Sequence, residues 1–220
     1  MASTLQACPP CNCTAYGGRN VYNVTTQNIQ RWLSQANNAG RNHDMNPVTF
    51  LAIASIESNG VYSAVNPGGT TYGIVQVGQA VLNAYNCLKG TSYVLNDLIG
   101  SGPNITTSSA AVALSFDILG QYIGTLNHLT SSYGITATGW NGAICGTSGS
   151  FLPFGSGCGY WPRPTSTSCY GTAALKLASA YSGWWVDPYT GSPNSFFWGD
   201  LPSVSTSTLP LLNMVCYGNR

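Results

Sequence analysis

The sequence predicts a mainly helical α+β domain with a small β-sheet, held together by disulfide bonds. Apolar residues recur at helical spacing in several stretches, whereas only the short stretch 74–77 is β-prone. Eight cysteines are spread over the 220 residues. An even number distributed in this way predicts a set of disulfide bonds and an oxidising compartment, although the sequence leaves their pairing open.

The chain divides into three predicted regions. Residues 1–23 form a cysteine-rich lead-in, and residues 24–185 hold the helical domain. Residues 186–220 form a tail rich in aromatic residues, Pro and Ser, which we expect to pack on the domain. A chain of 220 residues with 44% hydrophobic residues is long enough for one substantial core.

The helices of the first third have clear boundary signals. The first is predicted from about Thr26 to Ala39, with Gly40 as its stop. The second follows Asn46, a favourable N-cap, carries Pro47 in its first turn and ends at Gly60. The remaining predicted elements are a turn-rich stretch 61–72, a strand at 74–77, a helix Gln79–Cys87, a long helix Ser108–Leu129, an irregular cysteine-pinned stretch 141–171 and a helix Thr172–Tyr181.

Charge excludes several classes of function. Charged residues make up 6% of the chain, against roughly 25% in typical soluble domains. With a net charge of +1 there is no basic face for nucleic acid. No apolar run is long enough to span a membrane, and Met1–Ala7 lacks the features of a signal peptide. Together with the cysteines, this predicts a protein that is secreted, extracellular or associated with a virion.

The cysteine cluster Cys8–Cys13 is an alternative candidate for a metal knuckle. A zinc site would need a fourth ligand, and the two histidines, His43 and His128, are isolated from each other. We therefore predict disulfide bonds rather than metal, and no cofactor.

Glu57 is the single glutamate of the chain and directly follows the mainly apolar run 51–56. Apolar surroundings raise the pKa of a carboxyl group, and so does a position in the last turn of a helix, where the dipole disfavours negative charge. A carboxyl group with a raised pKa suits general acid catalysis near neutral pH. Protonation of a leaving glycosidic oxygen is a common use of such an acid, which points to a polysaccharide-cleaving enzyme.

Four short motifs resemble the soluble lytic transglycosylases, which share their fold with goose-type lysozyme. These are Glu57-Ser58, the loop Ala64–Gly68, Gly73–Gln76 in place of Gly-Leu-Met-Gln, and Gly139–Gly142 after the predicted long helix. Their order and spacing match the family over about residues 46–182. The resemblance implies a lysozyme-like helical domain with a small sheet.

The resemblance also implies a reaction. Glu57 would protonate the β-1,4 glycosidic oxygen between N-acetylmuramic acid and N-acetylglucosamine in peptidoglycan and would then act as base. The substrate's own acetamido group would assist, so that no second carboxylate is needed, and attack by the muramic acid O6 would give a 1,6-anhydro product. If the enzyme instead hydrolyses its substrate, one Asp should position water, and Asp97 is our candidate.

Five further residues become candidate substrate ligands. Ser58 would orient the substrate or Glu57, or would simply end the helix. Gly73 would let the backbone approach a sugar, or would serve a turn. Gln76 would bond an acetamido sugar, Tyr72 would stack on a ring or belong to the core, and Asn141 would bond a sugar or form an Asx-turn.

Trp140 is the main departure from the family, because it replaces the tyrosine that contacts the glutamate. An indole N–H donates a hydrogen bond but cannot accept one or transfer a proton. This departure, with the neutral charge balance, leaves an alternative open: a structural or carbohydrate-binding protein, for example of a virion, on a lysozyme-like scaffold. A glycosidase for another amino-sugar polymer such as chitin is a further alternative.

Overall fold

A computed structural model describes residues 26–43, 45–130, 139–140, 147–155, 157–164, 170–171, 174, 177–178 and 181. The predicted lead-in 1–23 and tail 186–220 lie outside the described residues. In chain order the elements are α1 Thr26–Gln30, α2 Leu33–His43, α3 Pro47–Ser58, β1 Thr71–Tyr72, β2 Val77–Gly78, α4 Gln79–Lys89, a 3₁₀ helix Leu95–Ile99, α5 Ser108–Thr130, β3 Thr147–Gly155 and β4 Gly159–Pro164. The described residues between 170 and 181 are also helical, and we call them the C-terminal helical residues. The prediction of a mainly helical domain with little sheet is confirmed.

The single helix predicted over residues 26–39 is wrong, because the chain turns at Arg31 and Trp32 and makes two helices. The indole N–H of Trp32 donates to the carbonyl oxygen of Gly60 at 2.9 Å, and the Trp32 amide bonds back to Ile29, three residues earlier. Gly40 does not end the helix either. A Cβ at this position would lie 2.5 Å from the Met45 carbonyl oxygen, so glycine is required by close packing.

Helix α3 begins and ends where the sequence predicts. The Asn46 side chain accepts from the amide of Val48 at 3.1 Å, and Pro47 occupies the first turn. At the other end Asn59 adopts a left-handed conformation with φ 61°, and its amide and that of Gly60 close the helix. Every residue from Pro47 to Ser58 is buried, so this helix forms the centre of the domain rather than one of its faces.

The long helix α5 packs against α2 and α3. Glycine at position 120 permits the approach of α2, since a Cβ there would lie 2.3 Å from Cδ2 of His43. Phe50 of α3 and Phe116 of α5 pack with ring centroids 5.5 Å apart. The predictions of α4 and of α5 are confirmed to within a few residues. Among the described residues, no helix is both long and apolar enough to cross a membrane.

The predicted strand at 74–77 is wrong in its position. Strands β1 and β2 form an antiparallel hairpin that pairs Thr71 with Gly78 and Tyr72 with Val77. Residues 73–76 are the turn of this hairpin, and Gln76 has a positive φ of 55°. The β-branched residues of this stretch therefore fill the core below a turn instead of forming a ladder.

The stretch 141–171, predicted to be irregular, contains a second antiparallel hairpin. Strand β3 pairs with β4, and two register irregularities interrupt the ladder. Proline and glycine disfavour strands locally, which is why the sequence reading missed this hairpin. Its turn carries Cys158, which forms a disulfide bond with Cys87 near the end of α4. One disulfide staple is thus observed within the described residues.

Replacement of both Cys87 and Cys158 by serine should lower the free energy of unfolding. The bond closes a loop with a sequence separation of 71 residues. The chain-entropy model gives about 4 kcal/mol for a loop of this size. Urea unfolding of the double variant against the wild type checks this value, and an unchanged unfolding midpoint would contradict it.

Candidate active site

Glu57 lies at the end of the buried helix α3, one residue before its last residue. Glu57 is buried, with 6% of the residue exposed, and the neighbouring Ile56 is completely buried. The hydroxyl of Tyr170 donates a hydrogen bond to Oε1 of Glu57 at 2.8 Å. The carboxyl group is therefore held in a defined orientation in buried surroundings.

Tyr170 is a site residue that the sequence reading missed. The predicted last helix began at Thr172, which left Tyr170 outside it, yet Tyr170 and Gly171 are already helical. The signal was present in the sequence, because Tyr170, Ala174 and Tyr181 recur at helical spacing. A tyrosine thus contacts the glutamate, and it comes from a different part of the chain than the position of Trp140.

Trp140 does not bond to Glu57 through its indole N–H. That group donates to the carbonyl oxygen of Val75 at 3.0 Å. The ring of Trp140 packs on Tyr122, whose hydroxyl donates to the Gly139 carbonyl oxygen at 3.0 Å. The indole N–H of Trp140 is thus used to hold the turn 73–76, and a role of Trp140 in substrate binding stays a prediction.

Ser58 also holds this turn. Its hydroxyl lies 2.8 Å from the carbonyl oxygen of Ile74 and 3.2 Å from that of Ala54, one turn earlier in α3. Two consecutive carbonyl groups of the turn, those of Ile74 and Val75, therefore accept hydrogen bonds from side chains of other elements. Of the two roles weighed for Ser58, the structure supports a structural one at the helix end.

Gly73 and Gln76 shape the turn itself. Gly73 has a φ of +82°, and a Cβ there would lie 2.8 Å from the Leu98 carbonyl oxygen, so the close approach is to protein backbone. The Gln76 amide nitrogen donates to the carbonyl oxygens of Ala64 and Gly73 at 3.1 and 2.9 Å. Its Oε1 accepts from the Thr71 hydroxyl at 2.9 Å. The polar atoms of Gln76 thus brace the loop.

Two more predicted ligands remain. Tyr72 is half-buried in β1 and packs against the core, with Val65 bridged to it on the loop side. Asn141 lies outside the described residues, directly after Trp140.

Asp97 holds a loop and does not position water. Its side chain is completely buried. Oδ1 accepts from the amides of Asn104 and Ile105 at 2.9 and 3.0 Å, and Oδ2 accepts from the Val94 amide at 2.8 Å and from the Asn104 side chain at 2.9 Å. Burial by itself raises the pKa of Asp97, but the hydrogen bonds outweigh it and hold the pKa below its ordinary value.

A second carboxylate, Asp117, joins α2, α4 and α5. Its Oδ1 lies 2.7 Å from Nε2 of His43, and its Oδ2 accepts from the hydroxyl of Tyr85. Burial opposes ionisation of Asp117, but the bonds with His43 and Tyr85 lower its pKa below the ordinary value. Burial and the neighbouring carboxylate raise the pKa of Tyr85. Within the described residues, no three His, Cys, Asp or Glu side chains are grouped so that they could bind a metal.

A scan against protein-family models finds none that matches this chain, and a search of curated proteins finds no significant similarity. Its function therefore has to be inferred from the site.

The Asp97→Asn variant should lose about 3 kcal/mol of unfolding free energy at pH 7, because an amide nitrogen in place of one oxygen would face two donors. The ionised carboxylate stabilises the fold fully above the ordinary pKa of about 3.8. This contribution is lost as the pH falls through the lower pKa of the folded state.

Urea unfolding between pH 3 and pH 8 tests this role of Asp97. The difference between wild type and variant should be constant above about pH 5 and shrink below about pH 4. Asn96→Ala, at the exposed neighbouring position, is the control. A fully stable Asp97→Asn variant would refute the structural role.

Proposed function

We propose that this protein is a lysozyme-like muramidase, and more specifically a lytic transglycosylase, that cleaves peptidoglycan with Glu57 as general acid and base. One observation carries the proposal: the single glutamate of the chain ends a buried helix, is 6% exposed and is oriented by the Tyr170 hydroxyl. An oriented, nearly desolvated carboxyl group is the element that glycosidic bond cleavage needs.

The reaction follows from the orientation of Glu57. In its acid form Glu57 carries the transferable proton while the Tyr170 hydroxyl donates to Oε1. This proton passes to the glycosidic oxygen as the bond between this oxygen and the anomeric carbon breaks. The acetamido oxygen of the substrate stabilises the anomeric carbon, and the muramic acid O6 then attacks it. Glu57, now a carboxylate, takes the O6 proton and returns to its acid form.

The transglycosylase route fits the described acids better than a hydrolytic route does. An inverting hydrolase needs a second carboxylate that holds water. Asp97 uses both oxygens to hold its loop, and Asp117 is bonded to His43 and Tyr85. A mechanism assisted by the substrate's acetamido group needs neither of them.

A second candidate is a carbohydrate-binding or structural protein on the same scaffold. The observation that favours it is the internal use of the predicted ligands: polar atoms of Ser58, Gln76 and Trp140 bond to backbone carbonyl groups. On this alternative Glu57 would be a satisfied polar group of the core. Another amino-sugar polymer, such as chitin, would use the same acid.

Glu57→Gln should abolish the release of muropeptides from purified peptidoglycan, because an amide cannot donate an acidic proton. The near-isosteric change should leave the unfolding midpoint almost unchanged. Asp117→Asn is the matched change of a carboxylate outside the site and should retain cleavage. Mass spectrometry of the fragments distinguishes a transglycosylase, whose products are one water lighter, from a hydrolase. Cleavage by the Glu57→Gln variant would end the catalytic assignment, and an inactive wild type would favour the binding alternative or another polymer.

Tyr170→Phe should lower kcat about tenfold, which corresponds to the loss of one hydrogen bond in the site. The Tyr170 bond stabilises the charged carboxylate, so its loss should move the alkaline limb of the pH–rate profile to higher pH. The rate profile measured across pH 4–9 checks both effects. An unchanged alkaline limb would show that Tyr170 does not act on Glu57.

A further inference from the structure

Two buried tyrosines connect the C-terminal helical residues to α3. The Tyr170 hydroxyl donates to Glu57 at 2.8 Å, and the Tyr181 hydroxyl lies 2.9 Å from Oγ of Ser55. The Ser55 hydroxyl hydrogen points to the Leu51 carbonyl oxygen at 2.8 Å. Ser55 must therefore accept from Tyr181, and the direction of this second bond is defined.

Tyr170 and Tyr181 both belong to the C-terminal helical residues and are eleven residues apart in the chain. Ala174 and Ala178, between them, are completely buried, and Leu177 is nearly so.

The two acceptors, in contrast, are only two residues apart on α3. Both tyrosine hydroxyls therefore lie at the last turn of α3. A single hydrogen bond would allow the C-terminal helical residues to rotate or slide against α3. Two hydrogen bonds, to Ser55 and to Glu57, restrict both the rotation and the sliding of the C-terminal helical residues against α3. They thereby fix the place of the Tyr170 hydroxyl.

We propose that Tyr181 is a positioning residue for the acid: through its bond to Ser55 it keeps the Tyr170 hydroxyl on Oε1 of Glu57. This proposal deepens the proposed function and rests on it for its effect on catalysis. The effect of the Tyr181–Ser55 bond on the Tyr170–Glu57 bond can be tested without measuring enzymatic activity.

The Tyr181 bond is suited to this role over a wide pH range. Tyr181 is 5% exposed and Tyr170 is 1% exposed. Burial raises the pKa of Tyr181. The phenol thus stays protonated and continues to donate in neutral and moderately alkaline solution.

The composition of the chain allows the ionisation of Glu57 to be measured directly. Glu57 is the only glutamate, so glutamate labelled with ¹³C at its carboxyl carbon gives one side-chain resonance in the whole protein. Titration of this resonance reports the state of Glu57 in the intact chain. The Tyr170→Phe variant should shift the midpoint to higher pH by about half to one unit, because the carboxylate loses a donor.

Tyr181→Phe and Ser55→Ala should each shift the midpoint in the same direction by a smaller amount. Neither should shift it further when combined with Tyr170→Phe, because both act through the Tyr170 hydroxyl. General loosening of the core would instead admit water and lower the midpoint in both backgrounds. Tyr85→Phe removes the hydrogen bond of another tyrosine hydroxyl, which donates to Asp117 and not to α3. This control variant should leave the Glu57 resonance unchanged.

Kinetics on peptidoglycan then test the consequence for catalysis. Tyr181→Phe and Ser55→Ala should lower kcat severalfold with KM unchanged and move the alkaline limb in the direction seen for Tyr170→Phe. If the midpoint of Glu57 does not respond to either variant while both remain folded, the proposal is overturned. If the midpoint responds but the wild type cleaves no polymer, the positioning contact stands and the proposed function fails.

Discussion

The helix Pro47–Ser58 is buried along its whole length, and the rest of the structure is arranged around this constraint. A polar side chain on such a helix is costly unless another part of the protein offers it a partner. Ser58 meets the turn 73–76, Ser55 meets Tyr181 and Glu57 meets Tyr170. Each of these contacts also brings a distant segment to the end of the helix.

The same contacts assemble the candidate site. The turn 73–76 is held by Ser58 from α3 and by Trp140, which follows α5 in the chain. Glu57 receives its hydrogen bond from the C-terminal helical residues, more than a hundred positions later in the chain. The acid is thus held by elements that are themselves attached to α3, and its orientation depends on the packing of the whole domain. Side chains that the sequence suggested as ligands, Ser58 and Trp140, are here used to hold the turn 73–76.

The errors of the sequence reading have a common cause. Residues 74–77 have the composition of a strand, but backbone close to Gly73 and the tight turn at Gln76 place residues 74–76 in a hairpin loop and leave only Val77 in β2. Trp32 bonds to Gly60 and interrupts a helix whose own residues favour continuity. In both cases a partner that is distant in sequence overrides the local preference. The substitution of Trp140 for a tyrosine implied a changed contact to the acid, yet the contact is made by Tyr170.

The helical character of the domain, the ends of α3 and the position of Glu57 in its last turn could be predicted from the sequence, because caps and apolar periodicity act over a few residues. Glu57 was also evident, since no other glutamate is present. The contact of Tyr170 with this acid, the loop held by Asp97 and the bond between Cys87 and Cys158 became visible in the three-dimensional structure alone. These are pairings between residues far apart in the chain, and their hydrogen bonds and disulfide bond depend on packing that no local pattern encodes.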